Sequence, residues 1–360
     1  MKTTELTLQS CALALLLLSL QFVNGDVSYS FPEEMRRGSL IGNIAKDLGL
    51  ETSSLFARKA RIDTEGSDTR YCDLNLSNGD LTVVQRIDRE GLCGDKASCV
   101  LKQELMLENP LELHRISLHV QDINDNSPQF NNDLIHIDIS ESAVKGARFP
   151  IEEGHDADVG KYSVQTYNLQ SNDNFILGVG SNSVELVLNK ELDREQLKEI
   201  NLVLTALDGG SHQRSGTVVI HVTVLDANDN VPVFSQTVYK ASLPENSPLG
   251  AVVLTVSATD ADEGLNGDII YDFGHISEDI KSMFAIDHKT GDIQLMTTVD
   301  FETASSFELR VTAKDGLGIT SYAKVIIDVT DVNDNAPVIY LKSLANPIPE
   351  NVSPGTEVGI

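Results

Sequence analysis

Acidic and amide side chains recur along this 360-residue chain in a fixed order. The segment 122–126 has the sequence Asp-Ile-Asn-Asp-Asn, and the pattern returns with a different second residue at 226–230 and 331–335. The intervals are 226 − 122 = 104 and 331 − 226 = 105 residues. A spacing this regular indicates successive copies of one structural unit, each with the same oxygen donors.

Three further motifs keep the same register. Asp-Arg-Glu stands at 88–90 and 193–195, and Asp-Phe-Glu stands at 300–302. Asp-Ala-Asp, with a glycine two residues later, stands at 156–158 and 260–262. Each unit opens on a glutamate with a glycine five residues later: Glu33, Glu141, Glu245 and Glu350. Four motifs in register make a chance repeat negligible.

These side chains are suited to binding a hard cation. Two carboxylates about 4 Å apart repel by about 4 kcal/mol at an effective dielectric near 20. Clustered carboxylates therefore require cations between them. Calcium takes six to eight oxygens from carboxylates, amides and backbone carbonyls, whereas zinc prefers His or Cys and magnesium keeps several waters. The motifs predict calcium sites where successive units meet.

Composition is consistent with this chemistry. The chain carries 54 Asp and Glu against 27 Lys and Arg, a net charge of −27. Such a balance argues against binding to nucleic acid or to an anionic membrane surface. Hydrophobic residues make up 41%, enough for packed cores. The excess of acid alone favours an explanation by solubility, and the register of the motifs decides for cation binding.

Strands must position the acidic motifs. Apolar and polar residues alternate just before each one, as expected for half-buried strands. The apolar members are Ile116, Leu118 and Val120, then Val222 and Val224, then Val325, Ile327 and Val329. Turn sequences at 78–80 and 290–292, with about 105 residues per unit, predict β-sandwiches. One short helix is expected from Ile44 to Leu50.

Together the motifs resemble the cadherin repeat, over residues 26–360. In the first unit, 30–34, 42–49 and the Cys93–Cys99 loop resemble the clustered protocadherins, and 107–112 resembles the gamma type more than the alpha type. The resemblance implies an all-β fold of tandem Greek-key β-sandwich repeats joined by calcium-binding linkers. The chain has no Trp, so an exchange of strands that docks an N-terminal Trp is not available.

The resemblance also implies domain boundaries. Residues 1–25 precede the first repeat, and the boundaries of the repeats follow from the motifs. They are 26–130 for repeat 1, 131–234 for repeat 2, 235–339 for repeat 3 and 340–360 for the start of an incomplete fourth repeat.

The resemblance further implies calcium ligands at each junction. At the first they are Glu33, Asp88, Glu90, Asn124, Asp125, Asp156, Asp158 and Asp208, with the carbonyls of Ile123 and Asn126. At the second they are Glu141, Asp193, Glu195, Asn228, Asp229, Asp260, Asp262 and Asp315, with the carbonyls of Ala227, Asn230 and Asn266. Tyr162 stands at the position of Asn266 in the preceding unit, and its carbonyl should also serve. At the third they are Glu245, Asp300, Glu302, Asn333 and Asp334.

The ends of the chain point to the secretory pathway. Met1-Lys2 precedes an apolar run from Cys11 to Leu20, which predicts a signal peptide cleaved after Gly25. The alternative is an uncleaved membrane anchor, although the run is short for a span of about 20 residues. The sequence stops soon after a new unit begins, so we expect a fragment or a truncated product.

Secretion sets the chemistry of the remaining cysteines. Cys93 and Cys99 are expected to form a local disulfide in an oxidising compartment. Cys72 is left as a buried free thiol or as a partner for another chain. Asn75 and Asn351 begin Asn-x-Ser sequons and are candidate glycosylation sites.

The resemblance implies a function in cell adhesion. Clustered protocadherins recognise the same protein on an opposed cell through antiparallel pairing of their first four repeats, and related protocadherins are expected partners in cis. This implies neuronal recognition at the plasma membrane, with attachment through sequence beyond Ile360. The alternative is a passive calcium-stiffened spacer or a secreted decoy. A hydrolase is disfavoured because the acids recur three times and no catalytic His spacing is present. The apolar segment 175–177 is expected to be a core strand.

Overall fold

The computed structural model describes residues 26–64, 69–180, 183–344 and 346–360. The predicted signal peptide lies outside these residues. Within them the chain is nearly all β and forms three β-sandwiches. It divides into two compact units. The first comprises the described residues up to Asp193 together with Leu197–Leu225, and the second comprises Arg194–Gln196 together with Asp226–Ile360.

In its described part, the first sandwich has seven strands in two sheets, of order β1-β7-β6-β3 and β2-β5-β4. The strands are β1 (Val27–Pro32), β2 (Leu40–Asn43), β3 (Arg61–Thr64), β4 (Cys72–Leu74), β5 (Asp80–Val83), β6 (Cys99–Leu107) and β7 (Glu112–Gln121). Three short helices accompany them among the residues described here: α1 (Ile44–Asp47), α2 (Thr52–Ala57) and α3 (Arg89–Cys93). The core between the sheets includes fully buried Leu55, Leu81 and Leu105, each worth about 1.5–3 kcal/mol of transfer free energy.

The second sandwich also has seven strands, in sheets of order β10-β13-β14-β8 and β11-β12-β9. They are β8 (Leu134–Ser140), β9 (Arg148–Ile151), β10 (Thr166–Leu169), β11 (Phe175–Val179), β12 (Val184–Leu188), β13 (Glu199–Leu207) and β14 (Ser215–Leu225). Leu186, Leu204 and Ile220 are fully buried between the two sheets.

The third sandwich lies in the second unit, with sheets of order β16-β23-β22-β19, β17-β21-β20 and β15-β18. Its strands are β15 (Val233–Phe234), β16 (Val238–Pro244), β17 (Val252–Thr255), β18 (Ala258–Thr259), β19 (Ile270–Phe273), β20 (Phe284–Ile286), β21 (Asp292–Leu295), β22 (Ser306–Lys314) and β23 (Thr320–Thr330). One helix, α4 (Glu278–Met283), precedes β20.

One parallel strand pair in each sandwich sets the position of the acidic motifs. The β1–β7, β8–β14 and β16–β23 pairs are parallel. Both strands of each pair therefore end at the same edge of their sheet, where the opening glutamate follows the first strand and the Asp-x-Asn-Asp-Asn motif follows the last. The Glu33 N–H donates to the Gln121 carbonyl at 3.0 Å, and the Glu141 N–H donates to the Leu225 carbonyl at the same distance.

Most of the predicted elements are confirmed. The alternating residues are buried in β7, β14 and β23, and the two predicted turns join β4 to β5 and β20 to β21 around Gly79 and Gly291, both with positive φ. Helix α1 is shorter than expected, since its last residue is Asp47 and Leu48 is its C-cap. Sequence patterns did not predict α2, α3 or α4, and the domain boundaries stay predictions.

The segment 175–177 forms part of β11, as expected. It is only partly a core strand, since Phe175 is 2% exposed and Ile176 is 50% exposed. The side chains of successive strand residues point to opposite faces of the sheet, and a continuous apolar run does not show which face is buried.

Candidate metal centres

The acidic and amide side chains between the first and second sandwiches form the first acidic set, and Glu33 anchors it. This glutamate follows β1 directly and is 2% exposed. Its carboxylate accepts hydrogen bonds from the Arg89 N–H at 2.6 Å and the Ile123 N–H at 3.2 Å. One side chain thus joins the Asp-Arg-Glu segment to the Asp-x-Asn-Asp-Asn segment.

Helix α3 holds the Asp-Arg-Glu motif in place. Asp88 is its N-cap, and its carboxylate accepts from the Gly91 N–H at 3.0 Å, a contact worth about 1 kcal/mol. The guanidinium of Arg89 is buried among the acids, 3.1 Å from the Glu90 carboxylate and 3.8 Å from that of Asp122. It also donates to the Lys96 carbonyl. This arginine is a fixed cation inside the acidic set.

Two triads of carboxylates come together here. Oxygens of Glu33, Glu90 and Asp122 lie within 4.8 Å of one another, and those of Glu90, Asp125 and Asp158 do likewise. Glu90 belongs to both triads and can therefore contribute to two adjacent ions. Asp88 belongs to neither triad.

Crowding of these acids changes their titration. Burial, with a further contribution from Glu90, raises the pKa of Glu33 to about 7, although two backbone N–H groups oppose the shift. Burial also raises the pKa of Asp122 to about 6. Burial and the charge of Asp158 raise the pKa of Asp125. The set therefore resists ionisation unless a cation is supplied.

Hydrogen bonds join the end of the first sandwich to the start of the second. Asn126 donates to the Asp158 carboxylate from its backbone N–H at 3.1 Å and from its side chain at 2.7 Å. The Asp158 N–H donates to Asp156 at 3.0 Å. Asp122 accepts from the Val159 N–H at 2.8 Å. The 122–126 and 156–159 loops therefore form one polar cluster.

Four buried oxygens in this region have no hydrogen-bond partner among the described residues. Asp122 Oδ1 faces the Arg89 guanidinium at 3.8 Å. The other three are Asn124 Oδ1, Asp156 Oδ2 and Asp208 Oδ2. The other atoms of these side chains are used. The Asn124 amide donates to the Gly209 and His212 carbonyls, both at 3.0 Å, and Asp208 Oδ1 accepts from the Arg214 N–H at 2.7 Å. Orphaned buried acceptors cost about 1–3 kcal/mol each, and more when charged.

The same orphaned oxygens recur in the second unit. Asn228 Oδ1, Asp260 Oδ2 and Asp315 Oδ2 are buried without a partner within the described sequence. They occupy the corresponding places in the repeated motifs. A repeated set of unsatisfied carboxylate and amide oxygens, with no nitrogen or sulfur donor, fits a hard divalent cation.

A second fixed cation, Arg194, lies in this unit. Its Nε is 2.6 Å from Asp226 Oδ1, and its other nitrogens contact Glu263 at 2.7 Å and Glu195 at 3.2 Å. Burial opposes ionisation of Asp226, but hydrogen bonds from the Glu263 N–H and the Asn266 amide and the charge of Arg194 lower its pKa overall.

The remaining predicted residues of the second junction are divided between the two units. Glu141, which is 5% exposed, and exposed Asp193 belong to the first unit. Within the second unit, the Asn230 amide donates to the Asp262 carboxylate at 2.7 Å and to that of Asp229 at 3.0 Å.

The third acidic set repeats part of the first. Buried Glu245 accepts from the Phe301 N–H at 2.8 Å and the Val332 N–H at 2.7 Å. Its oxygens lie within 4.8 Å of those of Asp300 and Glu302. Predicted ligands Asn333 and Asp334 are exposed and lie outside this triad.

Sequence reasoning missed three residues that contribute to these sets. Asp122 supplies oxygens to the first triad, and the arginines at 89 and 194 supply buried positive charge. A signal was present, because Asp opens every Asp-x-Asn-Asp-Asn motif and Arg occupies the middle of the first two Asp-x-Glu motifs.

Comparison with known families agrees with the repeated architecture. Residues 26–109 match a family described as cadherin-like, and residues 135–225 and 239–330 match the cadherin domain. The chain belongs to the cadherin family. Cadherin domains bind calcium, and the donor sets described above fit that ion. This is an adhesion family, and the protein is not an enzyme.

Relatives narrow the placement of this cadherin to the clustered protocadherins. The chain is 44% identical to human protocadherin gamma-C5 over 347 residues, which is 94% of this chain and 37% of the relative. It is 43% identical to human protocadherin beta-1 over 366 residues, which is 99% of this chain and 45% of the relative. The cadherin chain therefore spans about two fifths of the length of these relatives, and gamma and beta types match it equally well.

Solved structures show the same relationship. Mouse clustered PcdhgC3 EC1-3 superposes with a TM-score of 0.81 at 44% identity, covering 85% of this chain and all of that one. The protocadherin gamma B7 structure of extracellular cadherin domains 1–4 gives a TM-score of 0.85 at 43% identity, covering 92% of this chain and 81% of that one.

The cysteines of this cadherin follow the sequence expectation. Cys93 and Cys99 form a disulfide. Cys72 is a fully buried free thiol in the first core, where burial raises its pKa to about 12. Sequon residues Asn75 and Asn351 are both exposed, and their glycosylation stays a prediction. Within the described sequence, no helix is long and apolar enough to cross a membrane.

Proposed function

We propose that this chain is the N-terminal recognition region of a calcium-dependent cell-adhesion protein. The observation that carries the proposal is the repeated trio of buried, unsatisfied oxygens at Asn124, Asp156 and Asp208, with its counterpart in the second unit. Folding alone gives no reason to bury these oxygens twice without partners. A calcium ion at each set supplies the missing interaction.

The contacts support the ligand assignments proposed for the first junction. Glu33, Glu90, Asp125 and Asp158 supply the carboxylates of the two triads, and Asp122 joins the first of them. Asn124, Asp156 and Asp208 supply the orphaned oxygens. The remaining predicted ligands of all three junctions take the roles that the cadherin motifs imply.

Calcium would act on the mechanics of the chain. Without it, the carboxylates at a junction repel one another and disfavour the arrangement in which their loops meet. A bound ion replaces repulsion with attraction, so metal binding is coupled to the order of the loops. Residues on either side of a junction are then held together.

Calcium titration tests the binding. We expect the melting temperature of the EDTA-treated chain to rise by several degrees in about 2 mM calcium, since extracellular calcium modules have Kd values of about 10⁻⁴–10⁻³ M. Isothermal titration should show more than one calcium per chain. An unchanged melting temperature would overturn the proposal.

Recognition is proposed to be homophilic, between copies of this protein on opposed cells. Related protocadherins are the proposed partners in cis. Attachment to the plasma membrane is proposed to occur through sequence beyond Ile360. Beads coated with the ectodomain from the complete reading frame should aggregate in calcium and disperse in EDTA. Beads coated with a different protocadherin should segregate from them.

A passive calcium-stiffened spacer or secreted decoy is the alternative. It predicts the same calcium-dependent rise in melting temperature but no aggregation of beads. The two measurements together therefore separate adhesion from stiffening alone.

A further inference from the structure

Two histidines face each other on the outer surface of the second sandwich. His136 on β8 lies directly opposite His221 on the parallel strand β14. Their ring centroids are 5.4 Å apart and their planes are inclined by 77°. His136 is exposed and His221 is half-buried, while the next residue on β14, Val222, is fully buried in the core. The core therefore fixes the two strands that carry the pair.

A neighbouring amide fixes the tautomer of His221. Asn201 lies opposite His221 on β13, and its Oδ1 is 2.8 Å from His221 Nδ1. An amide oxygen only accepts, so Nδ1 carries the hydrogen and Nε2 of the neutral ring keeps its lone pair. Histidines that bind metals are commonly held by this kind of hydrogen bond to the second nitrogen.

The separation of the rings suits one shared metal ion. Zinc–nitrogen distances are about 2.0–2.1 Å, so two imidazoles on a tetrahedral zinc have centroids about 5 Å apart. The observed 5.4 Å is close to that value. The separation of the two rings is therefore compatible with one shared ion.

A carboxylate on the same face could move in as a third ligand. Asp138 lies two residues beyond His136 on β8, so both side chains project from the same face of the sheet. It is exposed, and its carboxylate makes no hydrogen bond or ion pair within the described part of the chain. Glu199 lies on β13 opposite Thr223 of β14, and it adds negative charge to the same face.

The other two sandwiches show that the fold does not require this pair. Both histidines stand five residues before an acidic motif. The equivalent cross-strand pairs are Ser28 with Ser117 in the first sandwich and Lys240 with Ile326 in the third. The histidines are therefore a local property of the second sandwich, separate from the calcium ligands.

We propose that His136, Asp138 and His221 bind one Zn²⁺ ion on this face, with Asn201 as the positioning residue. Two imidazoles and a carboxylate are a donor set for zinc and similar transition metals, whereas calcium takes oxygen donors. The ion would tie the edge strand β8 to β14.

Isothermal titration of zinc into the full secreted chain tests the site, with about 2 mM calcium present to occupy the oxygen-donor sites. We expect one zinc ion to bind with micromolar affinity. His136→Ala and His221→Ala should each weaken it at least tenfold, and Asn201→Ala and Asp138→Asn about tenfold. His275→Ala, at an exposed histidine of the third sandwich, is the matched control and should change nothing.

Two further measurements complete the test. Cobalt should give the intense visible absorption of a tetrahedral ion in the wild-type chain and not in the His136→Ala/His221→Ala double variant. The calcium-dependent melting temperature should be the same in both, which shows that the variant is folded. Equal zinc stoichiometry and affinity in the wild type and the double variant would overturn the proposal, as would the absence of zinc binding to the wild type.

Discussion

Replacement of Glu33 tests the first acidic set most directly. Its carboxylate is buried and accepts two backbone hydrogen bonds, from the N–H groups of Arg89 and Ile123. Glu33→Gln preserves the shape of the side chain and one acceptor but removes the charge. Glu33→Ala removes both acceptors. The pair of variants therefore separates the structural role of Glu33 from its proposed role as a metal ligand.

The expected magnitudes follow from these contacts. Glu33→Ala leaves two buried N–H groups without acceptors, at about 1–3 kcal/mol each, so about 2–6 kcal/mol is lost in EDTA. Glu33→Gln should cost only about 1 kcal/mol in EDTA, since the pKa of Glu33 is raised to about 7 and much of the side chain is already neutral without metal. In calcium, a tenfold to hundredfold loss of affinity removes a further 1.4–2.7 kcal/mol or so of ligand stabilisation.

Cys72 provides an assay confined to the first sandwich. It is fully buried in the same core and is the free thiol of the described chain. The rate at which a thiol reagent labels Cys72 follows the fraction of molecules whose core is transiently open, when the core recloses faster than the reagent reacts. We expect calcium to slow labelling of the wild type strongly. In Glu33→Gln, labelling in calcium should be about 50–500 times faster than in the wild type, because the tenfold to hundredfold loss of affinity adds to the roughly fivefold difference expected in EDTA.

Glu245→Gln is the matched control. Glu245 makes the equivalent two hydrogen bonds in the third sandwich, to the Phe301 and Val332 N–H groups. Its replacement should leave the labelling of Cys72 unchanged. If Glu33→Gln retains the full protection by calcium, Glu33 does not ligate the ion. If Glu245→Gln loses protection equally, the effect of Glu33 is not local.

Three other predictions concern the same acidic set. In EDTA, the raised pKa values of Glu33 and Asp122 should make the chain lose stability as the pH rises from about 4.5 to about 7. The reason is that the folded state binds more protons than the unfolded state in this range. Melting temperatures measured across the range should show this loss, and calcium should abolish it. Asp208→Asn should leave the melting temperature in EDTA unchanged or higher, yet lower it in calcium. Arg89→Met should destabilise the chain by about 3–5 kcal/mol in EDTA and by less in calcium, as urea denaturation would reveal.

The alternation of apolar and polar residues was sufficient to predict the strands that carry the acidic motifs. Ile116, Leu118 and Val120 alternate with polar residues, so the pattern specified both the existence of β7 and its buried face. The position of Asp125 beyond the end of that strand followed from sequence order. Repetition at about 105 residues then extended the prediction to the other sandwiches.

Tertiary contacts were beyond the same reasoning. The sequence presents Arg89 as one more charged residue, and its burial among Glu90 and Asp122 depends on how α3 packs against β6 and on the loop after β7. Helix α2 was missed because its apolar residues, Leu55 and Phe56, give no helical period over six residues. Only Leu55 is buried, and Phe56 is 76% exposed.

The two parts of the first acidic set differ in how their charge is balanced. The Glu33–Glu90–Asp122 triad has a buried guanidinium beside it, so part of its repulsion is cancelled at all calcium concentrations. Asp156 and Asp208 have no ion pair with Lys or Arg within the described sequence, and each keeps an unsatisfied buried oxygen. We expect the arginine to keep the first part compact without metal, whereas the second part has no Lys or Arg in place of the ion. The calcium requirement that we propose for the junction is therefore expected to be concentrated at Asn124, Asp156 and Asp208, where the second sandwich supplies two of the three side chains.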